Sequence, residues 1–428
     1  MEKIEIKKVG INGEGIGYFK KKVCFVRNAY PGELVSVDLK PSKKYYTGSL
    51  IKVLKASPNR CQSKCKDELN CLGCSFASMD YHKQLEYKKE IINDTFIKYS
   101  SLENYQINDF LYGNKNTQYK NEVSLPVTYL NGKVVFGIYQ RESKYLTVMD
   151  HCFLQNNDLN HLLKQIENIL NKHNVRDYND KVKKGLRFIK VRKCDNEYSV
   201  LFVTGTNGID KEVTNDLKQI PEIKSVFYTI NTSHYQDFDT KGYKLIGGNS
   251  KLSFNYKDFK YVISQKSDYP INLDSTIVKN NYIKSLINKD DSVLSVNCGI
   301  GLLELDLDQN VIGLDSRKEN IEDAKSNANF LKKDHVFFKC KDIDDGITLE
   351  SKKQHFNTLI VNDSLSDAIL ETIQKNKMEH IILVNNSLSN IVKDIDKLIN
   401  AYDLELIQPI DSYPYTSKMD IIVKLNKK

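Results

Sequence analysis

Four cysteines fall within fourteen residues, at Cys61, Cys65, Cys71 and Cys74. Thiols clustered this closely, in a chain with the odd total of nine cysteines, argue against a disulfide framework and for a metal or iron–sulfur centre. Two ligand chemistries suit the residues themselves. One is a closed structural zinc site made by all four thiolates. The other is a [4Fe–4S] cluster, which also needs four cysteines. Either one requires residues 59–80 to form a cysteine segment of their own, set between two larger modules.

The module before it is basic. Residues 1–57 hold 12 Lys and Arg against 5 Asp and Glu, most of the chain's net charge of +8. A basic module on a nearly neutral body is an electrostatic footprint for nucleic acid. Ile4 and Ile6 alternate with charge, Gly10, Gly13, Gly15 and Gly17 mark turns, and Val23 and Phe25 before the Pro31-Gly32 turn and Val35 and Val37 after it supply strand residues. Short strands punctuated in this way predict a small OB-like β-barrel over 1–58. Lys43, Lys44, Tyr45 and Tyr46 place cations beside aromatic faces, which suits phosphates and stacked bases, although barrel core is the alternative use of the tyrosines.

Past the cysteines, Leu85, Ile92, Phe96 and Tyr99 share one face of a helix over 81–99, within a connecting region 81–111 expected to pack on the C-terminal domain. Residues 112–265 read as a central α+β domain. Val123, Leu125, Val127 and Tyr129 alternate, Asn131-Gly132 is a hairpin turn, and Leu159, Leu162, Leu163 and Ile166 mark a helix. Residues 266–428 alternate apolar strands with helices, the pattern of a doubly wound, Rossmann-like sheet. The fold class is therefore multidomain α/β.

In that last domain a strand over Val293–Asn297 runs into Cys298-Gly-Ile-Gly301, and a second strand ends at Asp315. Glycines at a strand's carboxyl end let backbone N–H groups approach a ligand, and an acid after the next strand accepts from ribose hydroxyls. Glu304, Asp306 and Asp308 follow the loop on a short helix and would repel a phosphate. A cationic nucleoside such as S-adenosylmethionine tolerates that field better than a dinucleotide. No run approaches the roughly 18–20 apolar residues of a membrane span, and Met1-Glu-Lys-Ile lacks the apolar core of a signal peptide, so a cytoplasmic protein is expected.

Taken together, these motifs resemble the bacterial RNA (uracil-5-)-methyltransferases over nearly the whole chain. Gly13-x-Gly15, Pro31-Gly32-Glu33 and Ser57-Pro-x-Arg60 look like that family's TRAM domain, Cys65-x5-Cys71-x2-Cys74 like its iron–sulfur motif with Leu72 for a usual glycine, and Tyr119-Lys-Asn121 like a central-domain motif. The resemblance implies that Cys65, Cys71, Cys74 and the distant Cys152 hold a [4Fe–4S] cluster, with zinc the alternative and Cys61 a spare. It further implies S-adenosylmethionine bound by Gly299, Gly301, Asp315 and Asn362, and a structured ribosomal or transfer RNA as partner, with no membrane and no DNA.

The resemblance also exposes departures. The family's chemistry is the addition of a cysteine thiolate to uracil C6, methylation of C5, and removal of the C5 proton by a base. Asn386 stands at the nucleophile position, and no cysteine follows Cys340. A carboxamide cannot attack C6, and the neighbouring Ser387 is a poor unactivated nucleophile. The family's Asp-Pro-Pro-Arg aligns with Asn362-Asp363-Ser364-Leu365, its first-strand acid with Ser295, its Gln-Val-Asn with Pro270-Ile271-Asn272, and its basic glutamate with Asp420. These losses favour an RNA-binding homologue with weakened cofactor contacts and without C5 methylation by the cysteine route. The alternative is an active RNA uracil-5-methyltransferase with unusual chemistry.

Overall fold

A computed structural model describes residues 1–71, 73–140, 146–233 and 242–428, so Leu72, the substituted glycine of the cysteine motif, lies outside the described residues. The chain divides into two compact units. One comprises Met1–Asn116, Thr358–Ser366 and Lys377–Lys428; the other comprises Thr117–Asn357 and Asp367–Asn376.

In the first unit, six short strands between Glu2 and Lys55 form one sheet that is antiparallel except where Lys22–Val26 runs parallel to Tyr46–Lys55. Alternation puts Ile4, Val26, Val35 and Val37 into its core. The Pro31-Gly32-Glu33 and Ser57-Pro-x-Arg60 motifs meet in an ion pair. Buried Glu33 accepts from Arg60 Nε at 2.6 Å and Nη2 at 3.0 Å, and from the backbone of Tyr30 and Ser57. The two tyrosines of the basic turn have different fates. Tyr46 packs edge-on to Phe19 at 5.3 Å against the core, whereas Tyr45 is exposed.

The amphipathic helix spans Tyr81–Tyr99, capped by Asp80. Its buried face includes Gln84, Lys88 and Ile92 at four-residue intervals, so a lysine sits on the apolar stripe. The same unit holds the parallel strands Thr358–Val361 and His380–Asn385, followed by the antiparallel pair Asp420–Lys427 and Tyr402–Asp411.

The second unit contains a seven-stranded sheet covered by the helix Asn157–Lys172, whose Leu159, Leu162, Leu163 and Ile166 are buried with Leu125, Val134 and Val200. The Asn131-Gly132 turn has φ of 50° and 83°, the left-handed pair a two-residue hairpin needs. Three parallel strands follow, Ser292–Val296, Asn310–Asp315 and Val336–Cys340, with Asn310–Asp315 in the middle. Among the described residues no helix is long and apolar enough to cross a membrane.

Candidate functional site

The glycine loop is shaped by its glycines. Gly299 has φ of 58° and a Cβ there would meet nothing within 4 Å, so the chain turns sharply beside open space. Gly301, with φ of 78°, has the opposite constraint: a Cβ would come 2.4 Å from the Phe338 ring. Asp315 ends the next strand and is held rigidly. It accepts from Gly299 N at 2.9 Å, Arg317 N at 2.8 Å and Asn320 Nδ2 at 3.2 Å. Asn320 also donates to Asp268 at 2.8 Å, and Arg317 bonds Asp268 as well. Gly299, Gly301 and Asp315 are therefore brought together, with open space beside Gly299 and a fixed carboxylate of the kind that accepts from ribose hydroxyls.

The acids after the loop do not act as the sequence suggests. The helix is one 3₁₀ turn, Glu304–Asp306. Asp306 is paired with Lys257, and Lys284 lies 3.4 Å from Asp308, so their field is offset by cations. Glu304 is buried and accepts from Ser295 Oγ at 2.6 Å, while its Oε2 has no hydrogen-bond partner. Burial pushes the Glu304 carboxyl up to about 7 against the Ser295 bond. Ser295, where the family places an acid, thus has a carboxyl group beside it, contributed from nine residues further on. Cys298 is buried, and desolvation with the charges of Glu304 and Asp315 raises its thiol well above the usual range, so it is no nucleophile.

Two other motifs of this unit meet. Asn121 of Tyr119-Lys-Asn121 donates its backbone N–H to Ile271 O at 3.1 Å, and Asn272 caps the helix Leu273–Ser285. The preceding residues of that motif pair with the chain just after Cys152: Gln118 N donates to Phe153 O and Lys120 N to Leu154 O. Asn160 clamps the Cys152 backbone from both sides at 3.0 Å.

In the first unit, the drifted motifs also converge. Asn362 is half-buried just beyond the strand Thr358–Val361, and Ser364 Oγ accepts from Asn385 Nδ2 at 3.2 Å and Asn390 Nδ2 at 2.9 Å. Asn386, between those asparagines, is exposed. Asn385 stands opposite Ile421, which puts Asn386 and Asp420 at the same end of one strand pair. Asp420 is buried and accepts from Ser412 Oγ at 2.8 Å.

Sequence reading missed what holds the Ser412–Asp420 loop. Lys88 and Asp411 form a fully buried ion pair at 2.6 Å, with Tyr81 Oη donating to Asp411 at 2.8 Å and Lys88 Nζ donating to Tyr413 O and Lys418 O. Burial lowers the Lys88 ammonium, opposed by Asp411, and raises the Tyr81 phenol, with Asp411 adding to the rise. The signal was the lysine on the helix's apolar stripe. The cysteine segment grips the same loop. Phe76 N donates to Tyr415 O, and Lys64 Nζ donates to Tyr415 Oη at 3.2 Å.

None of the nine cysteines is in a disulfide. Cys65, Cys71 and Cys74 are half-buried in one segment of the first unit, Cys61 is exposed, and Gly73 N donates to Cys71 Sγ at 3.4 Å, a bond that suits a thiolate. The donors fit an iron–sulfur centre chemically. Among the described residues no three Cys, His, Asp or Glu side chains converge as a preformed metal group.

Residues 2–49 match the TRAM domain model. An uncharacterized RNA methyltransferase of Bacillus anthracis is 31% identical over 444 residues, spanning 99% of this chain and 96% of that protein. Another from Streptococcus agalactiae is 28% identical, spanning 99% and 98%. The crystal structure of Pyrococcus abyssi tRNA (uracil-54, C5)-methyltransferase with S-adenosyl-L-homocysteine has the same fold, at TM-score 0.78 and 20% identity over 99% of this chain and 100% of that one. The chain belongs to the RNA methyltransferase family of these relatives and carries a TRAM domain at its N-terminal end.

Proposed function

We propose that this protein binds structured RNA and S-adenosylmethionine but does not methylate uracil C5 through a cysteine adduct. The observation that carries the reading is Asn386, exposed at the nucleophile position, flanked by Asn385 and Asn390 on a shared serine, with no cysteine later in the chain than Cys340. An amide nitrogen gives up its lone pair to the carbonyl, and among the described residues no base is hydrogen-bonded to Ser387 Oγ, which lies 3.3 Å from Ser389 Oγ. Asp420 in the base position, with its Ser412 bond, has no adduct from which to take a proton.

Gly299, Gly301, Asp315 and Asn362 would hold the cofactor, which supplies an electrophilic methyl group when bound. The fixed carboxylate of Asp315 supports this, as does the open space over Gly299. RNA contact is assigned to the exposed Lys43, Lys44 and Tyr45 of the N-terminal barrel. We assign Cys65, Cys71, Cys74 and Cys152 to a [4Fe–4S] cluster of structural role, as the family resemblance implies, with the spacing of Cys65, Cys71 and Cys74 supporting the three local ligands. Anaerobically purified protein should then absorb broadly near about 400 nm, whereas colourless protein with stoichiometric zinc sinks the cluster.

The second reading, methylation by different chemistry, is favoured by the intact Asp315 network and by Glu304 beside Ser295. Incubation with labelled S-adenosylmethionine and bulk ribosomal and transfer RNA separates the two. No label at uracil C5 is expected, and label there overturns the first reading. RNA binding should weaken steeply with salt.

A further inference from the structure

The second unit carries a cleft of about 520 Å³, within the roughly 300–1,000 Å³ of small-ligand sites, bounded by Tyr129, the chain 174–186 and the turn 207–210. No residue assigned above lies in it. Its floor is backbone. Leu186 N donates to Arg176 O and Asn179 N to Lys184 O, each at 2.8 Å, and Gly185 N donates to Asn207 Oδ1 at 2.8 Å. Gly185, at φ of 104°, lets the chain pass so close that a Cβ would lie 2.1 Å from Asp177 O.

The walls have a distinctive chemistry. The Arg176 guanidinium lies over the Tyr129 ring, 4.1 Å from its centroid, and Tyr129 N donates to Asp177 at 3.1 Å. Asp210 lines the cleft and its carboxylate makes no cap bond to the helix it precedes. Lys184 lines the cleft and Lys181 is exposed in the adjoining turn; neither has an ion-pair partner among the described residues, while Lys183 is paired with Asp180. A guanidinium on an aromatic ring is a flat, cationic stacking surface for a base. Two carboxylates inside the cleft disfavour a buried phosphate, and they accept from a base edge rich in N–H groups. The lysines stand where a backbone would leave the cleft.

We infer that this cleft holds one unstacked nucleotide of the RNA, its base on the Arg176–Tyr129 platform, its N–H-rich edge on Asp177 and Asp210, and its phosphates on Lys181 and Lys184. Guanine, with N1–H and N2–H₂ side by side, has the edge that fits. The inference rests on the RNA-binding reading and names a subsite for it.

The test is fluorescence anisotropy of the full-length protein with two labelled twelve-nucleotide RNAs, all-uridine and the same strand with one central guanosine. Wild-type protein should prefer the guanosine strand about fivefold. Arg176→Ala should weaken both strands roughly tenfold, the loss of one stacked base. Asp210→Asn should remove the preference and leave all-uridine affinity unchanged, and Lys184→Ala should lower the salt slope by about one contact. These side chains are exposed, and unchanged melting temperatures verify the fold. Wild-type affinities for both strands in Arg176→Ala and Asp210→Asn overturn the cleft, while weakened binding by a Lys43→Ala/Lys44→Ala protein keeps the RNA reading. Failure of wild-type protein to bind either strand or bulk transfer and ribosomal RNA overturns both.

Discussion

Around Gly299 the hydrogen bonds centre on a carboxylate, Asp315, which collects two backbone N–H groups and an asparagine. Around Asn386 they centre on a hydroxyl, Ser364, shared by two asparagines. The first arrangement keeps a fixed charge aimed at a loop with open space, and even its missing acid at 295 is answered by Glu304. The second joins neutral groups to one another, the amides of Asn385 and Asn390 to the Ser364 hydroxyl. The difference is one of chemistry: a charged acceptor joins the groups of the first region, and neutral groups join those of the second.

The scaffolding of the two regions tells them apart from their chemistry. Lys88→Ala should cost about 3–5 kcal/mol in urea unfolding, because it leaves Asp411 buried without its cation, and adding Asp411→Asn should recover part of that. A loss below about 1 kcal/mol would mean that the Asp420 loop is not anchored by this pair.

Next in size is the pH dependence set by Glu304. Its carboxyl is raised from 4.5 to about 7, so the folded state holds a proton that the unfolded state has released between those values. Stability from this group is full below about 4.5 and falls as pH rises to 7, by about 3 kcal/mol. Glu304→Gln should therefore gain on wild type across that interval in pH-resolved unfolding, and parallel curves would sink the assignment. Smaller again, Asp315→Asn should weaken S-adenosylhomocysteine roughly tenfold by calorimetry, while Asn386→Ala leaves it unchanged. Equal effects would erase the contrast between the regions.

Much of the layout was legible because it rests on local patterns. The hairpin at Asn131-Gly132, the helix from Tyr81 and the strand ending at Asp315 follow from turn chemistry and periodicity. The Lys88–Asp411 pair joins residues 323 apart, and the Ser295–Glu304 bond depends on a turn too short for helical periodicity to describe, so neither could be read from spacing. Tyr45 and Tyr46 show the limit most simply: adjacent strand-end residues point oppositely, and only the register decides which one meets the core.

The smallest expected effect is the sharpest test. Asn386→Cys puts an exposed thiol at the nucleophile position, at the same end of the strand pair as the buried Asp420, yet it should produce no 5-methyluridine. Attack on C6 needs the substrate base held in line and its developing negative charge stabilised, and the segment aligned with Asp-Pro-Pro-Arg now offers Asn362, Asp363, Ser364 and Leu365 without the arginine. Nucleoside analysis of transfer and ribosomal RNA after incubation with the cofactor reads the outcome. Methylated uridine from this single change would show that the Ser364 network still positions a substrate, and that the two regions differ by one atom group rather than by a lost site.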